Sequence, residues 1–392
     1  MKKTMRNWGH KIILIWMLAI GTLNSGCWDY REINDQMIVA GAAVDFNTAS
    51  DEITLTAEMA VPTASEKGSA FNSKIYQGKG KNLLDAIVDL RAKAGHSLLW
   101  SHAKVLILNP ELMEKEKVLV GIMDWIKRNH EMRETVWLLL SQEKTAGDIL
   151  QQSNSQTEKI ISQYLDNLFL APEAETFPKV PYSEFVNDIQ SQAGCAALPT
   201  VRLEKSGAEV LPFLDGTAIF KRTKPVCRLD GKQTRIYLLL RNDLNQAVLV
   251  PEGADRERLQ AVSLKIANCS SSVEPVLFQK NLRMEIDIKM EADIAEIDSD
   301  HDVFKPDKIN QLKAGVQSII AARIKKLLML LKECQQSDIF GLGSKVENKY
   351  PKLWRKIKNN WPQEYRKVPF AIHVRLNIPG SQQSMNVTKA GP

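Results

Sequence analysis

The chain has 392 residues, 44% hydrophobic and 25% charged, which excludes a disordered protein and leaves room for about two or three domains with buried cores. Its formal net charge is +6, yet residues 1–26 carry Lys2, Lys3, Arg6 and Lys11 with no acid, so the remainder holds 6 − 4 = +2. A body this close to neutral gives no reason to expect nucleic acid as a partner.

The first residues, MKKTMRNWGHK, are basic, and Ile12–Leu23 is apolar. That run is about a dozen residues long against the ~20 a helix needs to span a bilayer, so it fits the core of a signal peptide. Ser25 and Gly26 precede Cys27, which we read as the lipid attachment point, with cleavage between Gly26 and Cys27. Asn24 stands where lipoprotein signals carry an aliphatic residue; Leu23 sits one place further back. The alternative is an uncleaved leader acting as a short anchor, and either way the body is expected outside the cytoplasm. No later stretch is long and apolar enough to span.

Gln36–Phe46 (QMIVAGAAVDF) predicts a buried strand, and Asn47–Asp51 supplies turn residues. Glu52–Val61 alternates, with Ile53, Leu55, Ala57 and Met59 on one face, so the two strands make a hairpin. Thr63–Lys81, rich in Ser, Gly and Lys, predicts a mobile loop. Asn82–Ala94 is helical, with Leu83, Leu84, Ile87, Val88 and Leu90 as its stripe. Lys104–Asn109 is a short strand, and Pro110 opens one helix running to Asn129. Glu134–Ser141 is a strand; Ala146–Gln151, Thr157–Phe169 and Tyr182–Gln192 are helices. The order ββαβαβα predicts a mixed sheet covered by helices.

Ala197–Val250 reads as a small antiparallel sheet, with Arg235–Arg241 (RIYLLLR) as one of its strands. Leu259–Asn268, Val273–Gln279 and Leu282–Ile294 predict three more strands. Lys308–Leu331 is the longest helix, lined by Ile309, Leu312, Val316, Ile319, Ile320, Ile324, Leu327, Leu328 and Leu331, and is expected to pack across its own sheet. Tyr350–Asn360 is a short helix and Val368–Ile378 a closing strand. The fold class is mixed α+β. We expect a signal peptide (1–26), an N-terminal α/β domain (27–196), a β-rich middle domain (197–258), a C-terminal α/β domain with the long helix (259–379) and a disordered tail (380–392).

Chemistry is sparse. Five cysteines include no CxxC pair. With Cys27 lipidated, Cys195, Cys227, Cys269 and Cys334 leave one or two disulfides open, but free, mostly buried thiols are the expectation. Gly78-Lys79-Gly80-Lys81-Asn82 lacks the spacing of a phosphate loop and reads as a basic turn with Asn82 near a helix N-cap. His96 and His102 lack ligand spacing. Asp298-Ser299-Asp300-His301-Asp302 begins like a calcium loop, but Val303 stands where the turn needs Gly. Residues 345–367 carry eight Lys/Arg against two acids, with Tyr350, Trp354, Trp361 and Tyr365 interleaved. We read them as a solvated face whose tryptophans point into the core; contact with an anionic membrane surface is the alternative, and contact with nucleic acid ranks last for a body outside the cytoplasm. There is no GxSxG or HExxH and no framed carboxylate pair. No catalytic, metal or cofactor residues are assigned.

Gly26-Cys27-Trp28-Asp29-Tyr30-Arg31-Glu32-Ile33-Asn34-Asp35 resembles the start of mature C subunits of bacterial spore germinant receptors, the Ger(x)C family. That start pairs a lipid-modified Cys and Trp-Asp with an Arg-Glu-Ile/Leu-Asn run. The stretch Ser337-Asp338-Ile339-Phe340-Gly341-Leu342-Gly343, followed by Tyr350–Trp354 and Asn360-Trp361, is similar to the family's other signature. Ser101-His102-Ala103-Lys104-Val105 and Gly216-Thr217-Ala218-Ile219-Phe220-Lys221 match too. The motif residues are thus Trp28, Asp29, Arg31, Glu32, Asp338, Phe340, Gly341, Gly343, Trp354 and Trp361, and the resemblance covers almost the whole mature chain.

The resemblance implies a three-domain lipoprotein on the outer face of the spore inner membrane. It implies work with an A subunit and a polytopic, transporter-like B subunit in the germination response to amino acids, sugars or nucleosides. It supplies no catalytic residue and no cofactor, so a non-enzymatic subunit is expected. A solute-binding lipoprotein of a transporter is the alternative, and it predicts two similar α/β lobes around a cleft. An envelope hydrolase is the third reading.

Overall fold

The structure, a computed structural model, describes residue 16 and residues 36–65, 68–129, 131–171, 176–244, 247–249, 262–279, 281–297, 306–334 and 338–379. The leader apart from Trp16, the Gly26–Cys27 junction with Trp28, Asp29, Arg31 and Glu32, the polar loop 298–302 and the tail from 380 lie outside the described residues. Two sheets packed with helices make the mixed α+β fold that the element order predicts.

Strands β1 (Gln36–Asn47) and β2 (Glu52–Ser65) form the expected hairpin, with Val44 opposite Leu55 and Phe46 opposite Ile53. The Asn47 side-chain oxygen accepts from the Ala49 and Ser50 N–H groups and closes the turn. The stretch expected to be a mobile loop is instead β3 (Gly68–Gly80), antiparallel to β2 at the sheet edge. Polar composition suits an edge strand, whose outer side stays wet. Its side chains still fix the register: Ser73 donates to Glu58 at 2.6 Å and Gln77 to Thr56 at 3.0 Å.

The glycines that end β3 answer a packing demand from α1 (Leu83–Ala94). A Cβ on Gly78 would stand 2.0 Å from the Ala86 carbonyl oxygen, and one on Gly80 2.4 Å from the Ala86 nitrogen. The Gly-Lys-Gly-Lys run therefore lets a helix backbone approach a strand. Asn82 is the N-cap, its side-chain oxygen accepting from the Asp85 N–H at 3.0 Å.

Strands β4 (Ser97–Leu99) and β5 (Val105–Leu108) both run parallel to β1. The single helix expected from Pro110 is two, α2 (Pro110–Met113) and α3 (Glu116–Arg128). Bonds from the Glu114 and Lys115 N–H groups to the carbonyls three residues back tighten the first turn and end α2. Then come β6 (Trp137–Ser141), α4 (Gly147–Gln152), α5 (Ile161–Leu170) and α6 (Tyr182–Gln190).

The small separate sheet expected over 197–250 is instead the far wing of the first sheet: β7 (Cys195–Ser206), β8 (Glu209–Lys221) and β9 (Lys224–Leu229). The order is β3-β2-β1-β5-β6-β7-β8-β9, with β4 beside β1. Because β1, β5, β6 and β7 are parallel, residues 36, 105, 137 and 195 all start at one end of the sheet. Along β5 the buried side chains alternate: Leu106 and Leu108 join the core under α1, α2, α3 and α6, while Val105 and Ile107 join the core under α4 and α5.

Arg235–Arg241 is helix α7 (Gly231–Arg241), not a strand. Ile236 to Leu240 are all buried, because α7 lies between the β7–β9 wing and the second sheet. A helix covered on all sides loses its amphipathic period, which is what makes RIYLLLR resemble a strand. The sequence does hold a helix-start signal, a reciprocal capping box between Asp230 and Gln233.

The second sheet runs β10 (Ala247–Leu249), β11 (Val262–Phe278), β12 (Asn281–Ile297) and β13 (Phe370–Asn377). Two of the expected strands fuse in β11. Ser270-Ser271-Ser272 breaks the hydrophobic alternation, yet each serine still pairs with β12. Helix α8 (Pro306–Glu333), about 42 Å long, packs its predicted stripe into this core, with every residue from Leu312 to Leu331 on it buried. Each such side chain contributes roughly 1.5–3 kcal/mol of burial. Short helices α9 (Leu342–Lys349), α10 (Pro351–Ile357) and α11 (Trp361–Lys367) lead into β13. The expectation of free thiols fails at one pair. Cys227 on β9 and Cys334 after α8 form a disulfide across 107 residues of sequence, while Cys195 and Cys269 are free.

Candidate functional site at the Asp338 loop

Asp338 is 3% exposed, and its carboxylate is the hub of the C-terminal signature. One oxygen accepts from the Leu342 N–H at 2.7 Å. The other accepts from the Gly343 N–H at 2.7 Å and the Trp361 indole N–H at 2.9 Å. A carboxylate at the first turn of α9 satisfies N–H groups that have no partner within the helix. Gly341 makes the turn possible, since its φ of +62° is left-handed. Burial pushes the Asp338 carboxyl above its ordinary value of 3.8, opposed by the Gly343 and Leu342 N–H groups, the indole and the Lys221 ammonium.

The aromatic signature residues close around this loop. Trp354 and Trp361 are both buried and meet edge-to-face at 5.2 Å between ring centroids. Their rings leave no room for a side chain at Gly343, where a Cβ would stand 2.8 Å from Trp361 Nε1 and 2.9 Å from Trp354 Cη2. Gly343→Ala is therefore expected to cost about 1–3 kcal/mol. Thermal unfolding together with a shift in tryptophan emission checks this; an unchanged midpoint would show that the pair relaxes freely.

The loop also joins the two halves of the molecule. The Phe340 ring lies 5.8 Å from that of Tyr237 on α7. Arg241, one turn on, donates to the Tyr237 hydroxyl, to Asp243, and to Glu184 on α6 at 2.9 Å; Asp188 lies 3.9 Å away. Burial raises the carboxyl pKa values of Glu184 and Asp188, and Arg241 opposes the rise. On the other flank, Lys221 ends the Gly216–Lys221 motif and pairs in register with Cys195. Its ammonium donates to the Ala193 carbonyl at 2.8 Å and to the Cys195 sulfur at 3.6 Å. Burial raises the Cys195 thiol pKa, with Lys221 opposing. Two signature motifs more than a hundred residues apart thus meet at one junction.

The Ser101–Val105 motif builds a separate contact at the same end of the first sheet. Lys104 pairs with the buried Asp166 at 3.1 Å, and the Trp137 indole donates to that carboxylate at 2.9 Å. The structure does not bring this group to the Asp338 loop. The signature residues Trp28, Asp29, Arg31 and Glu32 lie outside the described residues.

A cleft of about 380 Å³ opens beside the loop, lined in part by Asp188, Cys195, Arg241, Phe340 and Lys345. Its polar groups face one another: Asp338 is occupied by three donors, Arg241 by carboxylates, and Lys345 donates to the Val273 carbonyl at 2.8 Å. Among the described residues no group of three His, Cys, Asp or Glu is placed to hold a metal. Cys195 has the Lys221 ammonium beside it, yet burial outweighs that charge and holds its thiol pKa above the ordinary value. Sequence reasoning found Asp338, Phe340, Gly341, Gly343, Trp354 and Trp361, and the structure unites them. It missed Cys195, Tyr237, Arg241 and the Cys227–Cys334 bond, which contribute through distant pairings. Among the described residues, no helix is long and apolar enough to cross a membrane.

Two family models lie end to end on the chain. "Spore germination protein N-terminal domain" matches residues 29–203, and "Spore germination B3/GerAC like, C-terminal" matches residues 215–382. Spore germination protein GerQC of Bacillus cereus is 24% identical over 340 residues, covering 84% of this chain and 88% of that protein. Spore germination protein B3 of Bacillus subtilis (strain 168) is 20% identical over 359 residues, covering 90% and 93%. The crystal structure of the GerBC protein shares the fold, with a TM-score of 0.54 at 16% identity over 86% of this chain and 97% of that one. With both halves matched in order, the chain belongs to the GerAC-like spore germination family that its signature residues resemble.

Proposed function

We propose that the chain is the lipid-anchored, non-enzymatic C subunit of a spore germinant receptor. It works beside an A subunit and a polytopic B subunit in the response to nutrients such as amino acids, sugars or nucleosides. The observation that carries the reading is where the signature residues go. Asp338, Gly343, Trp354 and Trp361 contact one another within the loop and its short helices, and Phe340 packs beside Tyr237 on α7, so the signature residues are spent on internal contacts. A motif used in this way specifies a shape to present to partners rather than a reacting group.

In this reading a diacylglyceryl group on Cys27 holds the body at the outer face of the spore inner membrane, each buried CH₂ contributing ~0.8 kcal/mol. Confinement to the membrane plane raises the effective concentration near membrane partners without any new contact. The test is deletion of the gene, with spores scored against a panel of nutrients, then restoration with the wild-type chain or with Cys27→Ala. Loss of the response to at least one nutrient is expected, with dormancy and non-nutrient triggers intact. Cys27→Ala is expected to leave the membrane fraction and to restore nothing. Full nutrient germination by that variant would remove the need for a tether, and a normal response in the deletion strain would remove the receptor role.

A further inference from the structure

Residues 345–367 hold eight Lys/Arg against two acids, and the described contacts account for only part of that charge. Lys345 donates to the Val273 carbonyl, Lys349 faces Glu274 and Lys367 faces Glu364. Lys352, Arg355, Lys356 and Lys358 are exposed, and among the described residues they make no hydrogen bond or ion pair. The first three share one face of α10 by their i, i+3, i+4 spacing, and Lys358 begins the 3₁₀ turn that continues it. Like charges at i, i+4 destabilise an isolated helix. Here the helix is held from its other side, with Trp354 buried and Leu353 and Ile357 half-buried against the core. The result is a rigidly mounted cationic face with no ion pair among the described residues.

Its place in the molecule identifies the counter-surface. The segment Lys352–Lys358 lies in sequence between Gly343 and Trp361, both of which bond to the Asp338 carboxylate. Asp338 in turn lies against Cys195 and Lys221, a cross-strand pair at the end of the first sheet where β1 begins. Eight residues lie between Cys27 and Gln36, a span of ~30 Å at full extension. The tether thus leaves the body at the end that carries the Asp338 loop and its basic helix.

We propose that the face formed by Lys352, Arg355, Lys356 and Lys358 lies on the anionic headgroups of the membrane that holds Cys27, and so orients the body on it. The inference rests on the anchored reading above. Each cation near an anionic leaflet raises surface occupancy about fivefold, and the effect fades within a Debye length.

The test uses the full-length lipid-modified chain mixed with vesicles of phosphatidylcholine alone or of phosphatidylcholine with phosphatidylglycerol. Amine acylation of Lys352, Lys356 and Lys358 is read by mass spectrometry against exposed Lys205, which sits at the far end of β7. On the anionic vesicles, acylation of the three lysines is expected to fall about fivefold or more, to recover in high salt, and to leave Lys205 unchanged. Flotation with both vesicle types and equal acylation on both overturns the proposal while the anchor stands. Flotation with anionic vesicles alone overturns the anchor and supports the basic face. Flotation with neither overturns both.

Discussion

Replacing Asp338 with alanine is expected to lower the unfolding free energy by about 3–5 kcal/mol. Alanine leaves the Leu342 and Gly343 N–H groups and the Trp361 indole N–H without an acceptor. The site is 3% exposed, so bulk water cannot take the place of the carboxylate. Asp338→Asn keeps one acceptor oxygen but turns an amide NH₂ toward a donor, so its cost falls between wild type and alanine. Denaturant midpoints at constant m check the order. A loss under about 1 kcal/mol for the alanine variant would show that the loop is held by its aromatic contacts alone.

The pH dependence carries a sign of its own. Burial raises the folded-state pKa of Asp338 above 3.8, so between that value and the folded pKa the native state binds the proton more tightly than the unfolded chain does. Stability from this group therefore falls as pH rises through that window and is flat above it. Asparagine does not titrate. The advantage of wild type over Asp338→Asn is thus largest at the acid end of the window and shrinks toward neutrality.

What the sequence discloses here tracks how local each determinant is. The β1–β2 hairpin, α1 with its Asn82 cap, and the stripe of α8 are written in short windows, and each stands where its period places it. Strand β3 is hidden because an edge strand needs no hydrophobic alternation; its register comes from Glu58 and Thr56 on the neighbouring strand. Helix α7 is hidden because it is covered on all sides, and only Asp230 and Gln233 betray it. Within the candidate site, the Asp338–Gly343 turn and the tryptophans are legible as a motif. Its connections to Lys221, Cys195, Tyr237 and Arg241 are not, since they are set by how the second sheet docks on the wing of the first. The same docking weighs against a solute-binding protein, which would show two similar lobes, whereas the described residues form nine strands in one sheet and four in the other.

That docking is also where the other large effect is expected. Removing the Cys227–Cys334 bond, as Cys227→Ala with Cys334→Ala, is predicted to lower stability by about 2–5 kcal/mol. The bond closes a loop spanning 107 residues, and long loops lose the most chain entropy when cross-linked. Its two ends belong to different bodies: β9 is the edge strand of the first sheet, and Cys334 follows the long helix of the second. Without it the halves are held by the shared core around α7, by Arg241 with Glu184 and Asp188, and by the aromatic contact of Phe340 with Tyr237. The loss should therefore be regional. Hydrogen exchange should speed up in β9 and through α9 to α11, while β1, β2 and α1 keep their protection. Equal acceleration everywhere would mean that the bond supports the fold as a whole, and an unchanged midpoint would mean that the junction is secured without it. A cross-link of this kind persists only where thiols are not kept reduced, so its presence in chains purified from the membrane fraction also bears on which side of the membrane the body occupies.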